Sequence, residues 1–108
     1  MLLNSLVGYE IGTWRYAPKS DNETGVQIDL LLDRDDGIIN IIEIKLANKP
    51  YRITKQYASS LGDKIDVFKE HLSTDKTIFL TLVTLHGILP NKYSDQLVDN
   101  DVTFDDLI

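Results

Sequence analysis

Residues 25–46 read GVQIDLLLDRDDGIINIIEIKL, two apolar runs about an acidic turn, and the fold follows from how they pair. The runs are rich in Ile, Leu and Val, and Asp35-Asp36-Gly37 between them is a hairpin signal. Together they predict antiparallel strands over about 26–33 and 38–46. Alternation along the first strand sends Ile28, Leu30 and Leu32 to one face and Gln27, Asp29, Leu31 and Asp33 to the other. The second run divides into Asn40, Ile42, Ile44 and Leu46 against Ile39, Ile41, Glu43 and Lys45. Matching apolar faces requires odd positions opposite odd ones, because a slip of one residue would carry every side chain across the sheet. A turn centred near Asp36 then sets Leu31 beside Ile41, Asp29 beside Glu43, and Gln27 beside Lys45.

Two carboxylates so placed repel each other, and in apolar surroundings each must shift its pKa or find a cation. Lys45 supplies one cation. A divalent metal on oxygen ligands suits two convergent carboxylates better, with Mg²⁺ (or Mn²⁺) as the candidate and Asp29, Glu43 and the Ile44 carbonyl as its ligands. Mg²⁺ keeps several waters, leaving room for a phosphate and an attacking water, and Lys45 would hold that water or offset transition-state charge. This is the chemistry of phosphodiester hydrolysis. A plainer arrangement stays open, in which Lys45 pairs with Glu43 while Asp29 bonds backbone or Gln27.

Asp29, about fourteen residues of hairpin, and then Glu43-Ile44-Lys45 resembles the PD-(D/E)xK signature of restriction-endonuclease-like nucleases. Ile28 stands where the signature has Pro. Thr13-Trp14-Arg15-Tyr16 through GVQIDLLLDR, EIK and the closing TFDDLI is also similar to the C-terminal domain of certain prokaryotic AAA-type ATPases, a domain assigned to the same fold. This likeness covers nearly the whole chain. It implies an α/β fold with a mixed central sheet of about four strands (β-β-β-α-β), one main helix packed on it, and a metal-dependent site at Asp29, Glu43 and Lys45. That superfamily usually opens with a helix carrying a further acidic residue, for which Met1–Leu6 is too short. The resemblance therefore implies a C-terminal fragment of a longer ATPase or a shortened stand-alone relative. Glu10, within the strand-like VGYEIGTWRY, is a poor substitute for the missing acid. Two functions follow as expectations: a nuclease acting on nucleic acid, or a noncatalytic interaction module serving an AAA-type ATPase. A sheet face left open by the absent helix would favour self-association.

The 108 residues, 43% of them hydrophobic, suit a single domain spanning 1–108 with one core. Without cysteine, neither a disulfide framework nor a thiolate metal site is possible, which suits a reducing cytoplasm. The longest apolar runs, 38–44 and 78–85, fall far short of the roughly 20 residues that span a bilayer, so no membrane insertion is expected. A net charge of −6 argues against general nucleic-acid binding. The charge is polarised, however. Lys45, Lys49, Arg52, Lys55, Lys64 and Lys69 follow the motif, whereas Asp95, Asp99, Asp101, Asp105 and Asp106 load the C-terminus. The basic stretch reads either as a phosphate-guiding surface or as an ordinary solvated helix face.

A first strand is expected over about Gly8–Tyr16, with Trp14 and Tyr16 on the core side and Arg15 away from them. After Asn48-Lys49-Pro50, the spacing of Ile53, Tyr57, Leu61, Ile65, Phe68 and Leu72 predicts a helix. Gly62 inside it costs about 1 kcal/mol relative to Ala, which close packing on the sheet would explain. Lys55 and Gln56 at its start are candidate binding residues by the resemblance, or plain helix formers on a wet face. Thr77–Thr84 reads as a central strand covered on both sides, with His86 in the loop after it and His71 at the helix end. Ser94–Val98 reads as a short helix, and Thr103 as an N-cap ahead of an acidic turn. The chain has neither a glycine-rich phosphate loop nor a serine-nucleophile turn.

Overall fold

The computed structural model describes residues 9–16, 26–72 and 74–104. The elements in chain order are β1 (Tyr9–Tyr16), β2 (Val26–Arg34), β3 (Ile38–Lys45), α1 (Lys55–His71), β4 (Thr77–Thr84), α2 (Lys92–Leu97) and β5 (Asn100–Thr103). The hairpin forms as its turn chemistry dictates. Gly37 takes φ +85°, a conformation that L side chains rarely adopt, and Leu31 lies opposite Ile41. The hairpin tip is then fastened to the start of β4: Thr77 N–H donates to the Gly37 carbonyl at 2.9 Å, and Lys76 bridges Asp33 and the Arg34 carbonyl, each at 2.6 Å.

The five strands make one mixed sheet in the order β1-β2-β3-β4-β5, antiparallel between the first three and parallel from β3 onward. Both parallel steps are made by crossovers, α1 between β3 and β4 and α2 between β4 and β5. The result is an α/β sheet with two helices and one strand more than the sequence reading expects. Asn100–Thr103 escapes that reading because NDVT has little strand character, and Val102 is its single buried side chain. Pairing of Val83 with Val102 and of Thr84 with Thr103 makes it a strand. Thr103 is thus the last residue of β5, and most of the acidic turn expected after it, together with the closing residues of TFDDLI, lies outside the described residues. Among the described residues no helix is long and apolar enough to cross a membrane.

One face of the sheet is covered by α1. Ile39 and Ile41 of β3, Leu80 of β4 and Ile28 of β2 meet Leu61 and Phe68 of the helix in one buried cluster, with Trp14 edge-on to Phe68 at 5.1 Å between ring centroids. Trp14 is therefore a packing residue, while the Tyr16 side chain lies outside the described residues. The helix begins where its signals lie. The Thr54 hydroxyl accepts from the Tyr57 N–H at 3.1 Å, and Ile53 before the cap shares a second cluster with Ala58, a hydrophobic staple. Asn91 caps α2 through a capping box with Ser94 and donates to the Ile53 carbonyl at 2.9 Å, tying the two helix starts together.

Two expectations fail here. Strict alternation along β2 is broken, because the register with β1 shifts between Gly12/Leu31 and Trp14/Ile28, leaving Asp29 and Leu30 opposite Thr13 alone. Leu31 and Ile28, three apart, therefore both pack in the core, and Gln27 opposite Arg15 falls on the face away from α1. Gly62 is likewise not explained by close packing, since a methyl group placed on it would meet nothing within 4 Å. Gly62→Ala should accordingly stabilise the fold by about 0.5–1 kcal/mol, read as a higher urea midpoint at unchanged m-value; a lower midpoint would show that the site is not open.

Candidate acidic site at the fork of β2 and β3

The last β2–β3 ladder pair is Leu30 with Ile42, and beyond it side chains replace backbone bonding. Glu43 Oε2 accepts from the Asp29 N–H at 3.2 Å, and Asp29 Oδ2 accepts from the Ile44 N–H at 3.2 Å. Each carboxylate thus satisfies a backbone donor on the opposite strand, and on its other edge β2 makes its bulge against β1 at the same residues, Asp29-Leu30. Asp29 and Glu43 come together as the register argument requires. Their surroundings differ: Asp29 is exposed, whereas Glu43 is 1% exposed.

Glu43 is buried because odd positions of β3 face α1. Its strand neighbour Ile41 lies in one apolar cluster, and Leu82, its β4 partner, lies in the other. A lone carboxylate there would be heavily penalised, and the structure meets it with Lys64 of α1, whose ammonium donates to Glu43 Oε1. In the sequence Lys64 stands only as one member of the basic stretch, read as a phosphate-guiding surface or a solvated helix face. A signal was present nevertheless: Tyr57, Leu61, Lys64 and Phe68 recur at spacings of four, three and four, so Lys64 occupies the stripe that the helix turns toward the sheet.

Lys45 takes a different place from either expectation. Its ammonium makes no ion pair among the described residues. It lies 4.3 Å from the centroid of the Tyr57 ring and 5.6 Å from that of Tyr51, the two rings standing edge to face at 5.8 Å. The plain Lys45–Glu43 pair therefore does not form, and Lys64 fills that role. Burial above all, and then the charge of Glu43, the Tyr51 phenol and the charge of Asp29, push the Tyr57 phenol well above its ordinary pKa. Burial also raises that of Tyr51.

The remaining candidates stand farther off. Gln27 accepts from Arg15 at 2.8 Å on the sheet face away from α1, so it is not beside Lys45, and the bulge is the cause. Lys55 and Gln56 are exposed in the first turn of α1, ahead of Tyr57. Glu10 aligns with Asp33, four residues along β2 from Asp29, or roughly 13 Å by strand rise. Of the basic stretch, Lys49, Arg52, Lys55 and Lys69 are exposed, whereas Lys64 and Lys45 are drawn inward. His86 is exposed in the turn after β4, and His71 is exposed in the last turn of α1.

The fork offers two carboxylates, each already accepting from a backbone N–H of the opposite strand. No group of three or more acidic, His or Cys side chains is placed to hold a metal among the described residues. Of the two Glu43 oxygens, Oε2 accepts from the Asp29 N–H and Oε1 from the Lys64 ammonium. Comparisons with known protein families, curated proteins and solved structures find no match.

The raised Tyr57 pKa sets the sign of an alkaline effect. The unfolded chain releases that phenolic proton near pH 10, the folded chain holds it, and stability falls as pH rises above about 10. Tyr57→Phe keeps the ring under Lys45 and removes the proton, so its stability should fall less steeply in urea melts between about pH 9 and 11. Identical slopes for the two proteins would contradict this account.

Proposed function

We propose that the chain is a restriction-endonuclease-like domain whose acidic fork binds a divalent metal and hydrolyses phosphodiester bonds of nucleic acid. The observation that carries the reading is the reciprocal bonding of Asp29 and Glu43 across the β2–β3 fork, with the Lys45 ammonium of β3 making no ion pair among the described residues. The first five elements, β-β-β-α-β, with the acidic pair on the β2–β3 hairpin and a helix following it, support the resemblance to PD-(D/E)xK nucleases. Asp29 and Glu43 would hold Mg²⁺ or Mn²⁺, with the Ile44 carbonyl as a third ligand. A bound metal would polarise the scissile phosphate and acidify a water. Lys45 would then meet the charge growing on the phosphate oxygens, or hold the water, from a position steadied by Tyr57 and Tyr51. Lys55 and Gln56, exposed at the start of α1, are available to touch substrate, whereas Gln27 is not part of this reading. Its setting is the cytoplasm.

A specific observation also favours a second reading, a noncatalytic module that docks an AAA-type ATPase or another copy of itself. Glu43 is already neutralised within the fold by Lys64, so the fork is stable as a structural element without any ligand. Incubation with single- and double-stranded DNA and RNA in millimolar Mg²⁺ or Mn²⁺ separates the two. The nuclease reading expects cleavage that chelation stops and that Asp29→Asn or Lys45→Met reduces by about 100-fold or more. Absence of cleavage together with no metal effect on thermal stability would leave the docking module.

A further inference from the structure

Both described helices lie on one side of the sheet. α1 packs on Ile39, Ile41 and Leu80, while Tyr93 and Leu97 of α2 pack with Ile53 and Ala58 against Leu82. The strand registers fix what remains on the other side. Leu30 and Leu32 of β2 lie beside Ile42 and Asn40 of β3, these beside Thr81 and Phe79 of β4, and Val83 beside Val102 of β5. No described element lies over this face. Ile42, Phe79 and Val83 are half-buried on it, and Ile44 at the end of β3 is 43% exposed. Parallel strands such as β3, β4 and β5 are normally covered on both faces.

We propose that a second copy of this chain covers the face, the two sheets stacking in a symmetric dimer with the helices outermost; the pairing stands whether or not the fork is catalytic. Charge favours a like copy. The chain carries a net −6, yet by register the strand carboxylates Asp33, Glu43 and Asp101 all fall on the helix side. Charged groups on the open face stand at its margins, Arg34 paired with Asp36 and Arg15 bonded to Gln27. Two acidic copies therefore meet with least repulsion here, whereas a basic partner would be drawn to the helix side. The polar side chains near the centre, Asn40 and Thr81, already bond each other at 2.9 Å and demand little of a partner. Area points the same way. At about 4.8 Å between strands and 3.3 Å per residue, the five strands span roughly 600 Å², so a stacked pair would bury about 1,200 Å², the lower end of the range for specific interfaces.

Sedimentation equilibrium of the full chain tests the pairing. Wild type should pass from monomer to dimer mass with a midpoint on the order of micromolar, as an interface at this end of the size range gives. Phe79→Lys sets an ammonium in the middle of the face and should weaken the dimer at least about tenfold. Ile44→Lys alters a side chain that is already exposed, leaves the fold intact and should also weaken the dimer; it decides the matter should Phe79→Lys fail to melt cooperatively. Lys69→Glu, exposed on α1, should leave the dimer unchanged within about twofold. A wild-type monomer throughout ~1–200 μM would overturn the proposal, the face then being covered from within the chain or by a different partner. Assembly beyond a dimer, or a dimer that Lys69→Glu disrupts and neither face variant weakens, would be equally fatal. Each of these failures leaves the nuclease reading of the fork standing.

Discussion

A buried carboxylate is the constraint around which the rest of this structure is arranged. Glu43 lies on the sheet face that α1 covers, between the apolar clusters built on Ile41 and on Leu82. Leaving such a group unpaired costs about 3–5 kcal/mol, a large share of the roughly 5–15 kcal/mol that holds a typical domain together. Lys64 and the Asp29 N–H meet that demand from two directions, one from the helix above and one from the neighbouring strand. The pair thereby fixes how α1 is rotated on the sheet. With Lys64 turned to Glu43, Tyr57 two turns earlier falls over Lys45, and Phe68 one turn later falls against Trp14.

The fork of β2 and β3 is the second consequence. A regular ladder would place Asp29 and Glu43 as a like-charged cross-strand pair, which is unfavourable. The chain avoids this by ending the ladder at Leu30 and Ile42 and giving each carboxylate a backbone N–H to accept from. The bulge that accompanies the opening also changes which side chains of β2 reach the core, bringing Ile28 in and turning Gln27 out. Chemistry and packing meet at this point, because Asp29 both bonds across the fork and sits in the bulge that resets the alternation of the strand.

The same arrangement bears on both functional readings. The nuclease reading draws on acids held in place by backbone donors, and the docking reading on a fork whose internal neutralisation makes it self-sufficient as a structural link. The two readings differ in what they ask of Lys45, whose ammonium is set against aromatic rings rather than against an acid.

The hairpin, its register, the helix over Lys55–His71, the strand Thr77–Thr84 and the short helix after Asn91 are all legible in the chain, because each is set by local periodicity or a turn residue. The convergence of Asp29 and Glu43 is legible for the same reason, since two strands and a glycine turn fix who stands opposite whom. Three features belong to the tertiary structure alone. β5 exists because β4 offers an edge to pair with, the bulge at Asp29-Leu30 arises in the pairing of β2 with the distant β1, and the Lys64–Glu43 pair forms because the crossover lays a distant stretch of helix over the strand. Each joins residues far apart in sequence, and no local pattern says which distant cation or strand edge a buried group will meet.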